Sequence, residues 1–189
     1  MEQLWLIFLI IGYFNASQCR KLNQYSGRFR SIECDANNRS AIVEYCYIKP
    51  VSRQHATLNV KIHFTEVIYK PVYVNLILFY RYGNIYREVI NTKVIEWCTI
   101  MDGIANHLFL MQVIDFVKQY SGNTMRKCPY ETDVELTNVT FDETKAYDIF
   151  PEGTYKFSWM TMNKKSHEFL WSLNTSLFIK SPYKESWGK

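Results

Sequence analysis

The sequence predicts a mainly β protein, a two-sheet β-sandwich with one amphipathic helix inserted between strands. Aromatic residues make up 16% of the chain, including 14 Tyr and 12 Phe, and such residues favour pleated, half-buried strands. Seven to eight segments alternate apolar and polar residues at regular spacing, as the strands of a sandwich do. One segment breaks this pattern and has helical periodicity instead.

The first residues predict a signal peptide over 1–19. Residues 4–14 form an apolar run of eleven residues, too short for the ~20 needed to span a bilayer but typical of a signal-peptide core. Ser17 and Cys19 are small residues that suit the −3 and −1 positions of a cleavage site. The residues before the apolar run, however, include Glu2 and no basic residue. The alternatives are an N-terminal anchor or a buried strand.

We expect residues 20–189 to form a single secreted domain. The chain has 189 residues and no evident linker, and its 48% hydrophobic and 21% charged residues exclude a disordered protein. The net charge is +4, and the basic residues are scattered rather than gathered in a stripe. Nucleic acid is therefore excluded as a partner. The sequence carries no signal of an oligomeric state.

Four cysteines remain if cleavage follows Cys19, and this even number predicts disulfides in an oxidising compartment. Three pairings are possible. We favour Cys34–Cys46 and Cys98–Cys128, because each bridge closes a local loop. A zinc site is not expected, since the chain has no C-x-x-C pair and no matching histidine spacing.

Three N-x-S/T sequons predict N-glycosylation at Asn38, Asn138 and Asn174. Asn174 agrees with the polar face of its strand. Alternation instead places Asn138 on the same face as the apolar residues before it in its strand. A bend or bulge near Thr137 would resolve this conflict.

Alternation predicts which side chains face the interior in four of the strands. The outward positions in the first of these strands are Asn59, Lys61 and His63. The predicted inward residues, strand by strand, are Leu58, Val60, Ile62 and Phe64; Val74, Leu76, Leu78 and Tyr80; Tyr155, Phe157 and Trp159; and Trp171, Leu173, Leu177 and Ile179.

A helix is predicted over about 99–121, flanked by the cysteines of the Cys98–Cys128 bridge. A closed sandwich needs no helix, because its two sheets cover each other. One interpretation is that this helix covers an open side and leaves room for a guest between the sheets. The alternative is that it blunts a sheet edge and that the inward aromatic residues fill a tight core. The helical spacing is carried by Leu110, Val113, Ile114, Val117 and Tyr120.

The order of motifs resembles a large insect family of small secreted proteins, long catalogued as a domain of unknown function. The resemblance covers residues 25–180. That family is related to the insect chemosensory B proteins and is placed with the ML (lipid-recognition) β-sandwiches, such as the ganglioside activator. The matching motifs are Cys46 within "EYC", the "KPVSR" that follows it, "CPY" at 128–130 and "FPEGTY" at 150–155.

The resemblance implies an immunoglobulin-like sandwich that binds a lipid or another hydrophobic small molecule in a cavity between its sheets. Chemosensation is the candidate process, and a membrane receptor is a candidate second partner. The alternative is a glycosylated extracellular module with a filled core that binds another protein. The expected cavity wall consists of Leu76, Leu78, Leu110, Val113, Val117, Tyr155, Phe157, Trp159, Trp171 and Leu173.

No catalytic motif is apparent in the sequence. The chain has no G-x-S-x-G, no H-E-x-x-H and no glycine-rich phosphate loop. Its four histidines are isolated from one another, and oxidised cysteines are not nucleophiles. We therefore expect no enzyme, no cofactor and no metal site. Hydrolysis of a lipid or glycan is the weakest of the three functional hypotheses.

Overall fold

The computed structural model describes residues 26–53, 55–69, 71–104, 107–120, 127–130, 133–141, 150–163 and 168–180. The predicted signal peptide at 1–19 lies outside these residues and stays a prediction. Two antiparallel sheets face each other, which confirms the predicted β-sandwich. None of the helices in these ranges is long and apolar enough to cross a membrane.

The described strands divide into a five-stranded sheet of order β1-β8-β7-β4-β5 and a three-stranded sheet of order β2-β3-β6. In the described part of the chain between β5 and β6 lie two helices, α1 (Trp97–Met101) and α2 (Leu108–Lys118). The strands are β1 (Ser26–Ala36), β2 (Ala41–Pro50), β3 (Ala56–Phe64), β4 (Val72–Tyr82), β5 (Ile85–Glu96), β6 (Val134–Val139), β7 (Gly153–Asn163) and β8 (Glu168–Lys180).

Period-two alternation determines which face of each strand is buried. The predicted inward residues of β3, β4, β7 and β8 are buried, except for Phe64, Tyr80, Phe157 and Leu177, which are half-buried. Burial of these apolar faces between the sheets supplies most of the stabilising free energy, at about 25 cal/mol per Å² of apolar surface. The sandwich core therefore follows directly from the alternation in the sequence.

The predicted outward position of Asn59 is wrong, because this side chain is only 2% exposed. The register between β3 and β6 shifts at this point, from Leu58 opposite Val139 to Val60 opposite Leu136. Asn59 fills the resulting bulge, where its Oδ1 accepts a hydrogen bond from the backbone N–H of Asn138 at 2.9 Å. The bulge predicted near Thr137 is thereby confirmed, and the positive φ of 53° at Asn138 marks it.

The two sides of the sandwich are closed in different ways. On one side, Cys34–Cys46 joins β1 of the larger sheet to β2 of the smaller sheet. On the other side, β5 and β6 are the edge strands, and the helical segment lies between them in the chain. Its far end contacts β6, because the backbone N–H of Thr137 donates to the carbonyl of Tyr120 at 3.3 Å. Both predicted disulfides are confirmed.

The segment predicted as one helix over about 99–121 contains two helices. α1 begins earlier than predicted, at Trp97, and Gly103 adopts a left-handed φ of 75° beyond its end. Glycine tolerates this conformation where other residues are strained, so the chain turns here. α2 then starts after His107, whose Nδ1 accepts from the backbone N–H of Leu110 at 3.4 Å. Leu108, at the start of α2, is 80% exposed.

Candidate functional site

An apolar cavity of about 90 Å³ lies between the two sheets. Strands of both sheets form its walls, and α1 and α2 cover it from the side of β5 and β6. Five strands, β4, β7 and β8 of the larger sheet and β3 and β6 of the smaller one, thus meet the helical segment around one space. The residues expected at a cavity wall that do line this cavity are Val113, Val117, Phe157, Trp159, Trp171 and Leu173.

The other four expected wall residues are buried elsewhere. Leu76 and Leu110 are fully buried in the main core. Leu78 and Tyr155 belong to a second, smaller cluster with Ile179. In that cluster the hydroxyl of Tyr155 donates to the carbonyl of Pro151 at 2.8 Å. Inward direction alone therefore did not distinguish the cavity from the packed interior.

Sequence reasoning missed the other ten wall residues, and two of them, Trp97 and Tyr130, come together only in the tertiary structure. Trp97 lies at the end of a strand whose faces were unclear, and Tyr130 lies in a loop with no periodicity. The only sequence signal was their position, because each lies beside or near a cysteine of the Cys98–Cys128 bridge. The bridge, with Cα atoms 5.7 Å apart, holds their two chain segments together.

Three indole rings occupy the centre of the site. The rings of Trp97 and Trp159 meet edge to face with centroids 5.2 Å apart, and Trp159 stacks on Trp171 at 6.2 Å. Such arrangements complement the charge distribution of aromatic rings. The indole N–H of Trp97 donates to the Tyr130 hydroxyl, and that of Trp159 donates to Oγ1 of Thr161 at 2.8 Å.

The chemistry of this lining restricts what the cavity can hold. No charged side chain lies among the described lining residues, and the polar ones are Thr161 and Tyr130. Both hydroxyls already accept from indoles. Burial of a charge without a partner is strongly unfavourable, so the lining suits hydrocarbon and aromatic groups and disfavours a charged group.

The cavity is smaller than an ordinary ligand pocket. Its volume of about 90 Å³ compares with roughly 300–1,000 Å³ for pockets that hold small molecules. The reason is that Trp97, Trp159 and Trp171 project into the space between the sheets. A guest of ordinary size therefore requires one wall to move outward.

The predicted glycosylation sites lie on different surfaces. Asn38 and Asn138 are exposed, in the turn after β1 and in β6. Asn174 is half-buried on β8, opposite Glu33 of β1 and Ser158 of β7. A glycan at Asn174 would cover the outer face of the larger sheet. Glycosylation itself stays a prediction.

A polar cluster lies on the outer face of the smaller sheet. Nζ of Lys61 is 2.7 Å from Oε2 of Glu44 and 3.2 Å from Oδ2 of Asp133. The Nδ1 of His63 lies 2.8 Å from Oδ1 of Asp133, so strand pairing gives this histidine a partner that the sequence did not reveal. Glu44, His63 and Asp133 bring metal-ligating atoms within 4.8 Å of one another, but the Lys61 ammonium already pairs with both carboxylates.

The cluster shifts the pKa values of its members. Hydrogen bonds to Glu44 and then Asp133 raise the pKa of Lys61 above its usual value. Burial and a hydrogen bond to Glu135 raise the pKa of the neighbouring Tyr45 to about 12. Burial disfavours ionisation of Asp133, but hydrogen bonds with His63 and Lys61 outweigh it, so the pKa of Asp133 is lowered.

The lowered pKa of Asp133 predicts a loss of stability in acid. A carboxyl group whose pKa is lower in the folded state stabilises the protein above its unfolded pKa of about 3.9. That contribution is lost as the pH falls through the folded pKa. The side chain of Asp133 is 29% exposed, so we expect the effect to be about 1 kcal/mol or less.

Urea unfolding at several pH values between 7 and 2 measures this contribution. Asp133→Asn should flatten the acid limb of the stability profile relative to the wild type. Asp115→Asn is the matched control, because Asp115 forms only an exposed pair with Lys118 on α2. Parallel profiles for the wild type and Asp133→Asn would contradict the prediction.

Comparison with known proteins gives one family match and a weak structural likeness. Residues 74–157 match a family described as "Protein of unknown function (DUF1091)"; this segment runs from β4 into β7 and includes both cysteines of the Cys98–Cys128 bridge. No curated protein sequence matches the chain. Among solved structures, the chain is similar to a Niemann-Pick type C2 protein from Japanese carpenter ant, with 18% identity, 80% of this chain and 90% of that chain covered, and a TM-score of 0.30.

Proposed function

We propose that the protein binds a lipid or another hydrophobic small molecule between its two sheets. The observation that carries this proposal is the apolar cavity beneath α1 and α2. A sandwich whose sheets met along both sides would need no helical cover. Here the cover is retained by the Cys98–Cys128 bridge and contributes Trp97, Val113 and Val117 to the wall.

The lining indicates how such a ligand would bind. Its hydrocarbon part would lie among the tryptophans, and any charged or strongly polar end would stay outside. Each buried methylene contributes about 0.8 kcal/mol, from which the loss of translational and conformational freedom must be subtracted. A chain of about a dozen methylenes therefore binds usefully without an ion pair.

We place this activity outside the cell. Two disulfides are typical of extracellular or lumenal compartments, and the predicted signal peptide and sequons agree with secretion. An insect origin, a role in chemosensation and a membrane receptor as partner rest on the sequence resemblance. We propose a carrier rather than an enzyme, because the cavity lining offers no nucleophile paired with a base.

Two measurements on protein purified from insect cells test the proposal. Native mass spectrometry should detect a co-purified hydrophobic molecule. Phenylnaphthylamine, a neutral fluorescent dye, should brighten on binding and be displaced by a long-chain alcohol. A protein that carries no copurified molecule and leaves the dye unaffected would rule out the carrier function.

A second candidate function is binding of another protein by a sandwich with a filled core. The small volume of the cavity favours it. A further observation is the apolar surface at the hairpin between β4 and β5, where Ile85 is 63% exposed and Tyr82 and Val89 are also exposed. Exposed apolar patches of this kind often mark interaction sites. Under this alternative, changes to the tryptophans would alter stability only.

A further inference from the structure

The cavity must widen to admit an ordinary ligand, and its walls differ in how firmly they are held. β4 is paired on both sides, with β5 and β7, and β7 is likewise paired with β4 and β8. These strands cannot move apart without loss of backbone hydrogen bonds. The helical wall is outside both sheets. Its movement breaks no strand ladder as long as Glu96, which precedes Trp97 and pairs with Tyr73, stays in β5.

Trp97 is the largest side chain that this helical wall contributes. It is the first residue of α1 and only 3% exposed. Its ring lies perpendicular to that of Trp159 and lines the cavity. Outward movement of α1 would withdraw this indole and leave an apolar volume beside Trp159 for a guest.

Tyr130, which accepts the Trp97 hydrogen bond, is itself held by the chain around it. Its backbone N–H and carbonyl pair with Ile68 at 3.0 and 2.9 Å, and its ring packs near Phe64 at the end of β3, with centroids 6.1 Å apart. The hydrogen bond from the Trp97 indole to the Tyr130 hydroxyl therefore joins the helical wall to a segment that is bridged to Ile68 and packs against the end of β3.

We propose that Trp97 is the gate of the cavity and that Tyr130 is its latch. This inference rests on the proposed function and adds how the site is controlled. In the free protein the indole occupies part of the ligand site, and an entering ligand takes its place. The Cys98–Cys128 bridge, next to Trp97 and near Tyr130 in the chain, limits how far the gate opens.

Fluorine NMR of protein containing fluorinated tryptophan tests the gate without any ligand. The Trp97 resonance is assigned by its loss in Trp97→Phe. Tyr130→Phe removes only the hydroxyl that accepts from Trp97, so the Trp97 resonance should broaden or shift towards that of an exposed indole. Tyr155→Phe is the matched control, because the Tyr155 hydroxyl bonds to Pro151 and Tyr155 does not line the cavity. An unchanged Trp97 resonance in Tyr130→Phe would overturn the latch.

Stopped-flow mixing with phenylnaphthylamine tests the same pair in binding. Loss of one hydrogen bond that must break before entry should raise the association rate of Tyr130→Phe about 2- to 12-fold over that of Tyr155→Phe. Equal association rates, with dye binding intact, would overturn the proposal. A mobile Trp97 resonance in a protein that binds no dye in any variant would instead support the gate and refute the carrier function.

Discussion

Trp159→Ala should lower the free energy of unfolding by about 3–5 kcal/mol, as expected when a buried aromatic side chain is truncated to alanine. Trp159 is buried and stands between the rings of Trp97 and Trp171. Its removal deletes both ring contacts and deprives Oγ1 of Thr161 of the hydrogen bond that the Trp159 indole N–H donates. Urea unfolding measures the change.

The same variant separates the two candidate functions. If the cavity holds a ligand, Trp159→Ala should change the affinity for phenylnaphthylamine by about tenfold, the equivalent of about 1.4 kcal/mol, because it both removes a wall contact and enlarges the cavity. Tyr155→Ala serves as a control, because Tyr155 is equally buried but belongs to the second cluster. Comparable dye binding by Trp159→Ala and Tyr155→Ala, at matched stability, would favour the filled-core interaction protein. Trp171→Ala provides an independent repeat, since Trp171 also lines the cavity.

Cys98→Ser with Cys128→Ser should lower the free energy of unfolding by about 3.6 kcal/mol in the chain-entropy treatment of disulfides. The bridge closes a loop with a sequence separation of 30 residues, and this loop contains α2 and all of α1 except Trp97. Without it, the unfolded chain gains conformational freedom. In the folded protein, the cover over the cavity then depends on Leu110, Ile114 and the contact between Tyr120 and β6.

Cys34→Ser with Cys46→Ser is the matched control for this change. Its separation is only 12 residues, so the expected loss is smaller, about 2.8 kcal/mol. Denaturant unfolding gives both values, and dye binding provides the functional comparison. Removal of Cys98–Cys128 should speed dye release, whereas removal of Cys34–Cys46 should leave release unchanged. Similar release rates in the two variants would show that the helical cover does not retain the ligand.

The sandwich could be predicted from the sequence because its information is local. A buried strand face repeats every second residue, so alternation alone indicated the inward side chains of β3, β4, β7 and β8. The short separations of Cys34–Cys46 and Cys98–Cys128 favoured their pairing. Even the bulge in β6 was visible, because the sequon at Asn138 conflicted with the apolar parity of its strand.

The site was harder to predict because its information is tertiary. Trp97 and Tyr130 have no shared periodicity, and only the fold brings them to the same cavity. The pairing of β3 with β6 placed Asp133 next to His63 and Lys61, which no local pattern indicates. The break at Gly103 was readable as an Asp-Gly turn, but the apolar residues on both sides suggested one continuous helix. Cavity volume depends on how three indole rings are arranged, and residue spacing does not encode that.

Because the two sides of the sandwich are closed in different ways, we expect one of them to act as a hinge. The Cys34–Cys46 disulfide joins the larger sheet to the smaller one at β1 and β2. The opposite side is closed by α1, α2 and Tyr120. Any expansion of the interior should therefore be wedge-shaped, with its hinge along β1 and β2. The space between the sheets would stay narrow beside β1 and β2 and widen towards β5 and β6. A ligand would therefore enter from the side of β5 and β6.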